Sequence, residues 1–178
     1  MSTPGMPLAV KPVASLILAR DDLTEPLLRR LAGYFGPVDL VGPLWPFTIT
    51  NYYAREMGEA LGRRLVSFLH LASPAHLPDW KIFATFLEER FSLGGRRLVN
   101  LDPGYVARER LVLATGKNYA HRIYLNQEVY GDLTLLYEQG KFQALPWTYL
   151  DYAQGSLPEL LTLVRQKYLW QLKQLAKR

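Results

Sequence analysis

The 178-residue chain contains no cysteine, which excludes disulfides, thiolate metal sites and cysteine nucleophiles. Histidine is scarce, and His70, His76 and His121 lack the spacing of a zincin helix. No apolar run approaches the roughly 20 residues of a membrane helix. The compact run Val13–Ala19 follows Lys11-Pro12 and meets Arg20-Asp21-Asp22 at once. It reads as a buried strand and not as a signal-peptide core, so the expected address is cytoplasmic, away from membranes. No Gly-x-Ser-x-Gly elbow occurs, and no G-x-G-x-x-G follows the first strand, where a dinucleotide fold would need it. The nearest phosphate loop is Thr115-Gly116-Lys117-Asn118. Leu111 occupies its first glycine position, and Asn118 replaces the magnesium-binding hydroxyl residue.

What is present is ordinary for a globular chain: 49% apolar, 12% aromatic and 21% charged residues. That length and composition fit one domain with a sizeable core. The formal charge of +5 invites a nucleic-acid reading. Its distribution weakens that reading, because residues 1–164 hold 16 basic and 16 acidic side chains. The excess is Arg165, Lys167, Lys173, Lys177 and Arg178, spread around the polar side of a last helix. Such cations also suit a helix C-terminal dipole.

Residues 1–12, with three prolines, read as a flexible arm, and 13–178 as a single α+β domain. The patterning predicts strands at Val13–Arg20, Val38–Leu44, Leu65–Leu71 and Arg96–Leu101, and helices at Leu23–Tyr34, Tyr52–Arg63 (capped by Asn51) and Asp79–Ser92. This order suits an antiparallel sheet with a ferredoxin-like βαββαβ N-terminal part. C-terminal β-hairpins extend it: Arg110–Ala114, Arg122–Asn126, Tyr130–Tyr137 and Lys141–Leu145, the last pair joined by a turn at Glu138-Gln139-Gly140. A terminal helix follows, opened by a capping box at Ser156-Leu157-Pro158-Glu159.

Four constellations carry candidate chemistry. Lys81, Thr85 and Glu88 fall within an arc of about 60° on one helix, opposite Trp80, Phe83, Leu87 and Phe91. They form either a solvated face or one wall of a cleft, with Lys81 on an anion and Glu88 as base or metal ligand. Asn100 and Asp102 share one side of a strand end before a Pro103-Gly104 turn, where Asp102 either binds a ligand or bonds its own turn amides. Lys117, His121 and Arg122 bring three groups able to carry positive charge together without an acid. They suit phosphate or carboxylate, or else a solvated loop. Trp147, Tyr149 and Asp151 read as a pocket wall or an aromatic plug.

These segments belong to a wider pattern. It runs from Thr50-Asn51-Tyr52-Tyr53 through Glu56-Met57-Gly58, Leu61 and Arg63 to Lys81, Thr85 and Glu88. It continues through Arg97-Leu98-Val99-Asn100-Leu101-Asp102-Pro103-Gly104-Tyr105, Lys117, His121-Arg122-Ile123-Tyr124-Leu125, Asp132, and Trp147-Thr148-Tyr149 with Asp151-Tyr152. In this combination the chain resembles the prokaryotic family called domain of unknown function 4416. Leu150 stands where the family tends to have proline, Phe86 where it has a small polar residue, and Asp132 where glutamate is expected. The resemblance implies no established activity, although members are sometimes labelled GTP-binding, so nucleotide binding is carried as an expectation. It does imply that the four constellations belong together.

The expected function is an enzyme or binder for a small phosphorylated or carboxylated ligand. Glu88, Asp102 and His121 are the catalytic candidates; Arg63, Lys81, Lys117, Arg122, Trp147, Tyr149 and Asp151 would bind the ligand. Glu88, Asp102 and Asp132 are candidate ligands for Mg²⁺, the natural metal for carboxylates beside phosphate. A nucleic-acid binding module and a non-catalytic interaction protein are the alternatives.

Overall fold

The computed structural model describes residues 3–49 and 52–177, the side chain of Ala54 excepted; the expected Asn51 cap lies outside them. In chain order the elements are β1 (Lys11–Leu18), α1 (Thr24–Phe35), β2 (Val38–Val41), β3 (Trp45–Pro46), α2 (Ala54–Met57), β4 (Gly62–Phe68), α3 (Leu77–Arg90), β5 (Ser92–Leu93), β6 (Arg96–Arg97), β7 (Val99–Val106), β8 (Arg110–Thr115), β9 (Arg122–Asn126), β10 (Val129–Glu138), β11 (Lys141–Ala144), α4 (Leu150–Ala153) and α5 (Leu157–Leu175). The fold is mixed α+β with a C-terminal helix.

Among the described residues the main sheet has nine strands, in the order β11-β10-β8-β7-β1-β4-β2, with β3 beside β4 and β9 beside β10. Each of these pairings is antiparallel. Helices α1 and α3 each connect strands two places apart in that order. The period-2 alternation of β1 sorts the core into two faces. Ala14, Leu16 and Leu18 face α1 and α3, against Leu27, Leu31, Trp80 and Leu87. Val13 joins Leu111, Leu135, Leu157, Leu161 and Val164 under α5, while Ile17 packs with Phe47, Met57 and Leu61. Each fully buried leucine contributes about 1.5–3 kcal/mol.

Four sequence expectations need correction. The helix expected over Tyr52–Arg63 is one turn, α2, because Gly58 takes a φ of +96° and β4 begins at Gly62. Lys11 and Pro12 belong to β1 and not to an arm; Lys11 is fully buried. Ser156 precedes α5, but its side chain makes no capping hydrogen bond.

The fourth concerns Pro103-Gly104, which lies inside β7 instead of forming a turn. β7 pairs with β1 along its full length, from Val99 to Val106, but with β8 only from Gly104 onward. Pro103 therefore sits where no second strand has yet joined, and its missing N–H costs little. Gly104 sits where the strands meet closely: a Cβ there would lie 2.4 Å from the Val112 carbonyl oxygen. The dipeptide that signals a turn here serves a strand junction.

A buried polar network ties the strands to the terminal helix. Lys11 Nζ donates to Asp39 Oδ2 at 2.5 Å and to Gln171 Oε1 at 2.9 Å. Asp39 also accepts from Ser67 Oγ at 2.5 Å and pairs with Lys167 at 2.8 Å. Burial pulls the Lys11 ammonium below its usual pKa, against the opposing pull of Asp39. For Asp39 burial pushes upward, but the donors from Lys11, Lys167 and Ser67 outweigh it and leave the carboxyl below its ordinary value.

Two outcomes follow from this frame. Gly104→Ala should destabilise the fold by about 1–3 kcal/mol through overpacking at the β7–β8 junction, read as a lower urea midpoint. Asp39 binds its proton less readily folded than unfolded, so its contribution is complete at neutral pH and drains away as pH falls through the folded value. Asp39→Asn should lower the urea midpoint at pH 7 and flatten its decline between pH 5 and 2, as a pH series of unfolding curves would show.

Candidate functional site

The early parting of β7 and β8 leaves one side of β7 open, and a cavity of about 760 Å³ lies there. The open stretch would strand the backbone groups of Leu101, since buried amides and carbonyls need partners. Two side chains of α3 take the place of the missing strand. Leu101 N–H donates to Glu88 Oε1 at 2.7 Å, and Leu101 O accepts from Lys81 Nζ at 2.9 Å. The stripe on α3 is thus a cavity wall, and Thr85 lies on it too.

Ten of the eleven candidate residues line this cavity: Arg63, Lys81, Glu88, Asp102, Lys117, Arg122, Asp132, Trp147, Tyr149 and Asp151. His121 does not line it. Its ring stacks on Trp147 at 5.1 Å and 10°, and its Nε2 lies 3.4 Å from Asp132 Oδ2. It therefore braces the wall from behind.

On the floor, Arg63 is only 5% exposed; it donates from Nε to Ser15 Oγ at 2.9 Å, pairs through Nη1 with Asp151 Oδ2, and lies 4.1 Å from the Tyr152 ring centre. The other oxygen of Asp151, Oδ1, is buried and has no hydrogen-bond partner among the described residues. Burial raises the Tyr152 and Tyr53 hydroxyls above the usual tyrosine range, so both stay neutral donors.

Along the α3 wall the charges interlock. Lys81 Nζ lies 3.9 Å from Glu88 Oε1 and 3.8 Å from Asp102 Oδ1. Glu88 Oε2 accepts from Arg97 at 3.0 Å, and Arg97 clamps Glu56 with two bonds of 2.6 and 2.8 Å. Burial raises the Glu88 carboxyl above its usual pKa despite Lys81, the Leu101 amide and Arg97. Both Glu88 oxygens are engaged in holding the frame. Asp102 is freer: its side chain is 30% exposed and accepts one bond, from Asn100 Nδ2 at 3.1 Å.

The outer wall hangs on an irregularity of β10. Its register against β8 shifts between Leu133 and Leu135. There Leu133 O accepts from Trp147 Nε1 at 2.8 Å, and Thr134 O accepts from Thr148 Oγ1 at 2.6 Å. Leu150 is the first residue of α4, where proline is equally at home, so this departure leaves the turn intact. Phe86 lies away from the cavity, 5.0 Å under the Arg90 guanidinium. Arg122 donates to Asp132 at 2.8 Å and to Tyr149 OH at 3.1 Å. At the mouth, Lys117 donates to Tyr52 OH at 2.9 Å and lies 4.6 Å from that ring's centre. This bond pulls the Tyr52 hydroxyl below its usual pKa. Among the described residues no carboxylate pairs with Lys117.

Glu88, Asp102 and Asp132 do not form the expected metal centre. Among the described residues no three carboxylate or histidine side chains gather at ligating range. Asp132 is instead taken up by Arg122 and His121, and Glu88 by Arg97 and the Leu101 amide. Sequence reasoning missed Arg97, Ser15 and Tyr152. Ser15, paired with Leu65 across the strands and within hydrogen-bond reach of Arg63, interrupts an apolar run, and that interruption was the available signal.

These roles separate experimentally. Glu88→Ala should cost about 3 kcal/mol, because it strands a buried amide and Arg97, whereas Lys117→Gln should leave the unfolding midpoint unchanged. Paired urea melts of the two variants check this.

Among the described residues no helix is long and apolar enough to cross a membrane. No curated protein and no solved structure matches the chain. One family model does, over residues 9–168, which takes in every strand, the cavity and most of α5. With nearly the whole chain matched, the protein belongs to the family described as domain of unknown function (DUF4416).

Proposed function

We propose that the cavity binds a small phosphorylated or carboxylated molecule and that the protein acts on it by proton transfer. The observation that carries this reading is Lys117. The other cavity-lining cations each lie within 4 Å of a carboxylate: Arg63 by Asp151, Lys81 by Glu88 and Asp102, Arg97 by Glu88, Arg122 by Asp132. Lys117 stands exposed at the mouth, and among the described residues its ammonium bonds only a phenol, the place for an incoming anion. Tyr149 and Trp147 supply flat walls beside it, 59% and 38% exposed. Asp102 is the group that would move a proton, because its side chain is 30% exposed and accepts one hydrogen bond, from Asn100.

The nucleic-acid reading draws less support. Two of its five cations are spent inside the fold: Arg165 lies 3.5 Å from the Tyr137 ring centre and donates to Arg108 O, and Lys167 pairs with Asp39.

The test is a thermal-shift panel of inorganic phosphate, small phosphate monoesters and di- and tricarboxylates. A ligand at 100 times its Kd adds about 2.7 kcal/mol, which in a domain of this size raises Tm by about 5–10 °C. We expect at least one such shift in the native protein and its loss in Lys117→Gln. A panel without any shift, or a shift that survives Lys117→Gln in full, would overturn the reading.

A further inference from the structure

The outer face of α5 serves neither the core nor the cavity, which no residue of α5 lines. Leu157, Leu161, Val164 and Tyr168 are buried, the first three in the cluster that holds Val13, Leu111 and Leu135. Glu159, Leu163, Gln166, Trp170 and Lys173 all stand exposed. Their spacings of four and three residues keep them within an arc of about 80°, as one stripe. Leu163 is 56% and Trp170 60% exposed, so two large apolar side chains of neighbouring turns face water. Among the described residues Glu159 and Lys173 have no ion-pair partner, and Trp170 has no ring or cation against it.

The stripe is complementary to its own reverse. Gln166 lies at its centre, with Leu163 three residues before it and Trp170 four after. Glu159 and Lys173 lie seven residues away at the two ends, with opposite charges. A two-fold axis through Gln166, perpendicular to the helix, sets Leu163 against Trp170 of a second copy and Glu159 beside Lys173 of that copy. Each contact then occurs twice, as in the isologous interfaces of most soluble dimers. Other partners fit less well. A surface of one charge would attract one end and repel the other, and a membrane surface would have to take up Glu159 and Gln166 with the apolar pair.

We propose that the partner of this face is a second copy of the chain, docked through an antiparallel α5–α5 contact centred on Gln166. The stripe from Glu159 to Lys173 is about 21 Å long, so the interface is small and the association weak and reversible. It stands independently of the anion-binding reading, because no residue of α5 reaches the cavity.

The experiment is sedimentation velocity on the full chain from about 5 to 500 µM, at about 0.15 M salt, which screens the net charge but leaves contact pairs. The expected result is a reversible rise toward the dimer mass across that range. Trp170→Lys should weaken association by about tenfold or more, since a central tryptophan carries much of a small contact. Glu159→Lys and Lys173→Glu should each weaken it by bringing like charges together, and the two reversals combined should restore it. Urea unfolding of each variant confirms that it folds. A monomer at every concentration would overturn the proposal, as would association undiminished in Trp170→Lys. Failure of the combined reversal to restore what each single reversal removes would overturn the antiparallel arrangement. A monomeric chain that binds phosphatidylserine vesicles through Trp170 would give the face to a membrane instead.

Discussion

A β-strand in the middle of a sheet has two sides to satisfy, and β7 is given a strand partner on only one of them over its first half. β8 joins it at Gly104, where the backbones come so close that a side chain has no room. Before that point the open side needs donors and acceptors from elsewhere. Glu88 and Lys81, one helical face of α3, supply them to Leu101. The same parting of strands that creates the need also creates the cavity. Scaffold and site therefore share one cause, and the ion pairs that line the space also hold it open.

This arrangement divides the charged residues by task. Glu88, Arg97 and Arg63 are buried or clamped and mainly hold positions; removing one leaves an opposite charge or an amide stranded in a poorly solvated interior. Asp102 and Lys117 are more exposed and less committed. A site built in this way has rigid walls set by costly internal pairs and a few loosely held groups with spare hydrogen-bonding capacity. The Trp147 wall follows the same logic, for its indole and the neighbouring Thr148 hydroxyl use carbonyls near the register shift in β10. His121 acts one layer further out, where it keeps Trp147 upright by stacking.

Much of this was legible in the residues. The alternation of strands and helices, the polar stripe on α3, the same-side placement of Asn100 and Asp102, and the hairpin turn at Gln139-Gly140 follow from period and turn chemistry. The misreadings share one origin. Pro103-Gly104 looks like a turn because local propensity cannot see that β8 arrives one residue later. The helix expected over Tyr52–Arg63 failed because pairing of Gly62–Phe68 with β1 and β2 outweighed helical spacing. Lys11 looked like the end of a loose arm, since nothing near it in sequence announces Asp39 or Gln171.

The sequence by itself determined the class of fold, the two hydrophobic faces and the residue types available for chemistry, because these depend on spacing along the chain and on side-chain composition. Only the tertiary structure decided which charges are spent and which remain. Pairing energy depends on distance and burial, and those are set by strands far apart in the chain: Arg63 meets Asp151, Arg97 meets Glu56, and Lys117 meets no acid among the described residues.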